Sequence, residues 1–292
     1  MVRPSPRLIA LAAAVTVVAA ACGDDGGTST QAASTTQAAS TAVAAAGSGT
    51  PTTTMAMMEL PASAAAMKLA VTSPSANGVL TANTIDINVQ ATGFDLACDL
   101  AGKPLQDGKG HYHVLLDKSL VDMFCTPTAK ISMQNVDPGP HTLEVVPAIN
   151  DHAEVMDNAV EIAFDYQPTV PLAAIGDVAN AGTPSVKIIS PKPGDVVKGD
   201  FDVVIETSNF NNSCDLYGKP GVVGYGHWHV NMDSTDGPMM GMMTMWGMSC
   251  TNTFKASTNG LISGEKHAVI ALLVDNGHAP LNVMDQVDVT VG

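Results

Sequence analysis

The chain contains one pattern twice. Cys98-Asp-Leu-Ala-Gly-Lys-Pro104 superposes on Cys214-Asp-Leu-Tyr-Gly-Lys-Pro220 at an offset of 116. The same offset carries Gly110-His-Tyr-His-Val-Leu-Leu-Asp117 onto Gly226-His-Trp-His-Val-Asn-Met-Asp233. Cys125 then meets Cys250 at an offset of 125, and His141 and His152 meet His267 and His278 at 126. A duplication of this length dictates two similar domains, each closing its own core. The expected boundaries are repeat 1 at 67–166, a Pro-bearing linker at 167–184 and repeat 2 at 185–292.

Within each repeat, short apolar runs alternate with turn residues. Thr84-Ile-Asp-Ile-Asn-Val-Gln90 alternates in and out, as do Phe201–Glu206 and Val287–Val291. Val269–Val274 is a continuous apolar run, the mark of a strand buried on both faces. No convincing amphipathic helix interrupts them. The expected fold class is all-β: two tandem immunoglobulin-like β-sandwiches of about seven strands each. Aromatics make up only 4% of the chain, which favours two small cores over one large one.

The N-terminus has a different composition. Arg3 and Arg7 precede an apolar run, Leu8–Ala21, too short for a comfortable membrane span. It ends in Ala19-Ala20-Ala21-Cys22, which resembles the lipobox of bacterial lipoproteins. That resemblance implies a signal peptide at 1–21, lipidation of Cys22 and a chain anchored outside the cytoplasm, at the cell membrane or in the periplasm. An ordinary secretory signal with a free Cys22 is the alternative. Residues 23–66 are mostly Ala, Ser, Thr, Gly and Gln, so 22–66 is expected to be a disordered, lipid-anchored tether. With Cys22 set aside, the other four of the five cysteines fall two per repeat. Cys98–Cys125 and Cys214–Cys250 are the simplest bridges in an oxidising compartment, with cross-repeat pairing as the alternative.

All eight histidines occupy aligned positions: His111, His113, His141 and His152, then His227, His229, His267 and His278. Residues i and i+2 of a strand share a face. His111 and His113 are therefore expected opposite Tyr112, Val114 and Leu116, and His227 and His229 opposite Trp228, Val230 and Met232. Histidines turned away from the core, side by side, can chelate one cation. Asp117 and Asp233 are expected on the same face. The competing expectation is that they hydrogen-bond these histidines in a purely structural role. Whether His141, His152, His267 and His278 join the pairs is not decided by spacing.

Met239, Met240, Met242, Met243, Met245 and Met248 crowd the segment before Cys250, and Met55, Met57 and Met58 are a weaker echo. Thioether with imidazole suits copper, especially Cu(I), although methionine also fills irregular apolar space. The expected cofactor is copper or zinc, if any. A net charge of −15 argues against nucleic acid as a partner. The membrane would be met through the lipid anchor alone, and no protein partner is indicated.

The Gly-His-x-His, Pro-Gly-x-His-Thr-Leu and Asp-x-His pattern resembles a poorly characterised group of secreted bacterial β-domains. The likeness rests on Gly110–Asp117, Gly139–Leu143 and Asp151-His152 and their counterparts; it implies no catalytic residue. Repeat 2 departs from it at Gly264-Glu-Lys-His267. No nucleophile elbow, P-loop, His-Glu-x-x-His or Cys-x-x-Cys is present, so the chain is expected not to be an enzyme. A zinc hydrolase is the least favoured reading. A non-catalytic adhesion or protein-contact module is the main rival to metal binding.

Overall fold

The computed structural model describes residues 60–237 and 241–292. The signal segment, Cys22, Met55, Met57, Met58, Met239 and Met240 lie outside the described residues. Repeat 1 contains β1 (Lys68–Ser73), β2 (Gly78–Leu80), β3 (Thr84–Thr92), β4 (Asp95–Leu96), β5 (Lys109–Leu116), β6 (Ser119–Phe124), β7 (Thr128–Ser132), β8 (Gly139–Ile149) and β9 (Val160–Tyr166). Repeat 2 contains β10 (Ser185–Ser190), β11 (Val196–Val197), β12 (Asp200–Ser208), β13 (Asn211–Asn212), β14 (Tyr225–Met232), β15 (Met245–Ser249), β16 (Thr253–Ser257), β17 (Lys266–Val274) and β18 (Pro280–Val291). Each repeat exceeds the expected seven strands because it adds two very short ones.

The sheets follow one plan in both halves. A three-stranded sheet, β1-β3-β7, faces a larger one ordered β2-β9-β8-β5-β4, with β6 also paired to β5. The counterparts are β10-β12-β16 and β11-β18-β17-β14-β13, with β15 paired to β14. These are two immunoglobulin-like sandwiches. Alternation fixes which residues meet inside: Ile85, Ile87 and Val89 of β3 pack with Tyr112, Val114 and Leu116 of β5 and Leu143 and Val145 of β8. Val203 and Ile205 meet Trp228, Val230, Val269 and Leu273 in the same way. Each such large apolar side chain, fully buried, stabilises by roughly 1.5–3 kcal/mol.

One expected boundary moves. The tether does not extend to residue 66, because Ala62–Ala66 forms a 3-10 turn in which Ala64 is buried. Ala64, Met67 and Leu60 belong to the core of repeat 1. Gly93 makes this possible: a Cβ there would lie 2.1 Å from the Ala66 carbonyl oxygen. The linker is also tied down. Gln134 donates to the Ala173 carbonyl, Asn135 to that of Ile175, and the Val178 amide to that of Val223.

Both disulfides form within repeats, Cys98–Cys125 and Cys214–Cys250, with Cα atoms 5.3 and 4.9 Å apart. In the chain-entropy model each contributes roughly 3–4 kcal/mol. Locally, each staples the Cys-Asp-Leu-x-Gly-Lys-Pro loop to the end of β6 or β15.

That loop and that strand are where the repeats meet, inside one compact unit. Gly102 of repeat 1 lies against Met245 of β15; a Cβ on it would sit 2.3 Å from the Met245 carbonyl oxygen. Gly218, its counterpart, lies against Leu120 of β6, with a distance of 2.5 Å. The contacts are reciprocal, as in a two-fold pair. Both glycines also have φ of 66°, where other residues are strained. Beside Gly102, the Lys103 ammonium donates to the carbonyls of Asp99, Ser257 and Asn259. It also lies 4.8 Å from the centre of the Trp246 ring. Replacing Gly102 or Gly218 by Ala is expected to cost about 2 kcal/mol or more through backbone strain and a blocked approach. Thermal unfolding of the two single variants checks this, and an unchanged midpoint would refute the tight contact.

Candidate metal centre

Strand phase places the first two histidines of each set. On β5, His111 lies opposite Ala148 of β8, and His113 lies opposite both Val146 of β8 and Met123 of β6. On β14, His227 lies opposite Val274, and His229 opposite Leu272 and Met248. Residues directly opposite in a sheet share a face, so the His-x-His pairs point away from their own cores. Yet they are buried: exposure is 2% and 0% for the first pair, 0% and 2% for the second. The other repeat covers this face.

The third histidine comes from the turn after β8 or β17. His152 and His278 have φ of 69° and 64°, which turns each ring back over the sheet. His111 Nε2 then lies 3.0 Å from His113 Nε2 and 2.9 Å from His152 Nδ1. In repeat 2, His227 Nε2 lies 3.2 Å from His229 Nε2 and 3.0 Å from His278 Nδ1, and the last two are 3.4 Å apart. The two triads are close enough to hold a metal ion each.

Their outer nitrogens reveal which tautomers are present. His152 Nε2–H donates to the Met245 carbonyl across the repeat interface, at 2.6 Å. His278 Nε2–H donates to the Leu120 carbonyl in the opposite direction, at 2.9 Å. Each therefore keeps an Nδ1 lone pair facing its triad. His113 Nδ1–H donates to Glu154 Oε1 at 2.7 Å, which leaves Nε2 as the atom facing the triad. A carboxylate behind a ligand imidazole fixes its orientation and raises its basicity. Repeat 2 has Pro280 where Glu154 stands. Nδ1 of His111 and Nδ1 of His227 are buried without a hydrogen-bond partner among the described residues.

Burial also favours the neutral form of His111, His152, His227, His229 and His278. It is the largest cause holding His111 and His227 well below the usual histidine range, with their neighbouring histidines adding to it. Burial likewise lowers His152 and His229 to about 3 and His278 to about 4. His152 depresses His229, and His113 depresses His278, so the triads feel each other across the interface. Neutral imidazole is the form that binds metal.

Other expected site residues lie elsewhere. His141 and His267 are not in the triads. His141 Nδ1 is 2.7 Å from Asp117 Oδ2 and its Nε2 is 2.8 Å from the Asp137 carbonyl, so both ring nitrogens face oxygen acceptors. His267 Nδ1 meets Asp233 Oδ2 at 2.7 Å. Asp117 and Asp233 do not share the face of the His-x-His pairs, because they follow the strand ends with φ of 50° and 64°. Their second oxygens accept from the amides of Thr142 and Ala268, bracing the start of β8 and β17.

The described methionines of that cluster differ in burial. Met243 is exposed, Met242 half-buried and Met245 buried. The part of Met245 that meets a triad is its carbonyl. Glu154 and Met123 escaped the sequence reading. The signal for Met123 was present, since it aligns with Met248 at the same offset as the cysteines.

No family model matches the chain, and no curated protein does. Among solved structures it is similar to fibronectin(III)-like modules of Clostridium thermocellum CbhA, at 16% identity over 76% of this chain and 93% of that one, with a TM-score of 0.25. It is also similar to the IG1+IG2 domains of DIP-gamma, at 10% identity over 77% and 97%, with a TM-score of 0.20. Likenesses this distant carry no argument about the site. Among the described residues no helix is long and apolar enough to cross a membrane.

The buried neutral rings make stability depend on pH. Their folded-state values lie below the unfolded value of about 6.5, so below that pH the unfolded chain binds more protons. The stability they contribute is complete above about pH 6.5 and is lost as pH falls toward 3–4. Asp122 opposes this with a single group, since burial raises its carboxyl to about 7. In metal-free protein the unfolding free energy from denaturant titration is expected to fall between about pH 7 and about pH 4.5, by up to about 1.4 kcal/mol per pH unit for each buried ring. A flat profile would contradict neutral burial.

Proposed function

We propose that this chain is an extracytoplasmic lipoprotein that binds a transition metal, copper or zinc, through its two histidine triads. One observation carries the reading: His113 Nε2 and the lone pair of His152 Nδ1 converge with His111 Nε2, because their outer nitrogens are held by Glu154 and Met245. A tetrahedral ion with bonds of about 2.0–2.1 Å needs nitrogens about 3.3–3.4 Å apart. The spacings of 3.0, 3.2 and 3.4 Å in repeat 2 need little adjustment. Three imidazoles leave one coordination position for a further ligand. Support for the anchor comes from the Ala19-Ala20-Ala21-Cys22 sequence and from the disulfides, which use the other four cysteines.

A second reading, a non-catalytic adhesion or protein-contact module, is favoured by the immunoglobulin-like fold. Titration of metal-stripped protein with Zn(II) or Cu(I) separates the two. Two ions per chain are expected, falling to one in His111→Ala and in His227→Ala. His141→Gln and His267→Gln should keep both. Glu154→Gln should weaken one site by about 10–100-fold. If the unaltered chain binds neither ion, metal binding is wrong and the contact-module reading stands.

A further inference from the structure

The triads are aligned, but what covers them is not. In repeat 2 the buried Tyr217 lies edge-on to His227, with ring centroids 4.4 Å apart. The aligned residue in repeat 1 is Ala101. There, a cavity of about 390 Å³ opens between the repeats, and its walls include Ala101, His111, Met123, Trp246 and Met248. His111 thus belongs both to a triad and to a cavity wall, while the tyrosine ring packs against its counterpart.

The lining has a definite chemistry. Met123 stands opposite His113 on one sheet, and Met248 opposite His229 on the other. Both methionines line the cavity although they come from different repeats. Phe124 and Phe254 add apolar surface. Asp99 and Asp200 bring carboxylates, partly offset by Lys255, and Asp122 brings a carboxyl that burial raises to about 7. Lys103 also lines the cavity, but its ammonium is spent on three backbone carbonyls. Thioether and imidazole together select soft ions such as Cu(I) over hard ones.

We infer that this cavity is the entrance to the triad of His111, His113 and His152, that it admits a soft monovalent cation, Cu(I), and that Tyr217 closes the triad of His227, His229 and His278. The inference rests on reading the triads as metal sites. It makes one site exchangeable and the other sealed.

The full chain, loaded anaerobically with two equivalents of Cu(I), would be challenged with a colorimetric Cu(I) chelator. Release is expected in two phases of equal amplitude. Ala101→Tyr should slow the fast phase by about tenfold or more and spare the slow one. Tyr217→Ala should accelerate the slow phase by a similar factor and spare the fast one. The double variant Met123→Leu/Met248→Leu, nearly volume-neutral, should slow the fast phase for Cu(I) but leave Zn(II) release unchanged. A single phase in the unaltered chain would overturn the inference. So would phases that neither aromatic exchange moves, or a methionine effect equal for both ions. Circular dichroism would establish folding of each variant; should Ala101→Tyr not fold, Tyr217→Ala decides alone. Failure of the unaltered chain to bind either ion overturns the triad reading itself, and is distinct from binding with one release phase.

Discussion

Two hydrogen bonds, exchanged between the repeats, hold the site together. His152 reaches the carbonyl of Met245, and His278 reaches that of Leu120. Each bond fixes a tautomer, and each tautomer leaves a lone pair toward its triad. A buried imidazole with an unmade bond costs about 1–3 kcal/mol, so neither repeat can orient its third histidine cheaply without the other. The glycines at 102 and 218 allow the backbones to approach closely enough for this exchange. The disulfides hold the loops that carry those glycines.

The same exchange explains why polar groups are tolerated at this depth. Six imidazoles lie between two apolar cores, each nearly or fully hidden from water. Burial keeps most of them neutral, so no cluster of charge opposes the packing. The two halves are not equally satisfied. The ammonium of Lys103 has three carbonyl acceptors, whereas that of Lys219 has none among the described residues and burial lowers it to about 8.

Much of this was legible in the sequence, for identifiable reasons. Alternation in Thr84–Gln90 and in the His-x-His strands states which side chain faces which layer, and that is how the sandwiches assemble. Alternation also placed His111 and His113 away from the core, but it cannot show that a second domain covers that side. It fails at strand ends as well. Asp117 and Asp233 leave the β-region just there, so their carboxylates go to His141 and His267 rather than to the pairs. His152 and His278 join the triads through a left-handed turn, a geometry that spacing does not specify. Glu154 is an unremarkable acid in sequence; only the distance to His113 gives it a role. Composition alone placed the end of the tether too late, because an Ala-rich turn around Ala64 resembles linker until Gly93 is seen to admit it.

Reciprocal contact has one more consequence. Each repeat offers a loop glycine and a turn histidine to its neighbour and receives the same pair in return, so a single repeat carries both halves of a self-complementary face. Such a face suits association of identical copies about a two-fold axis. In a homodimer, every substitution would appear twice. Joined in one chain, the copies are released from that constraint, and a tyrosine or a proline on one side no longer obliges its twin to follow.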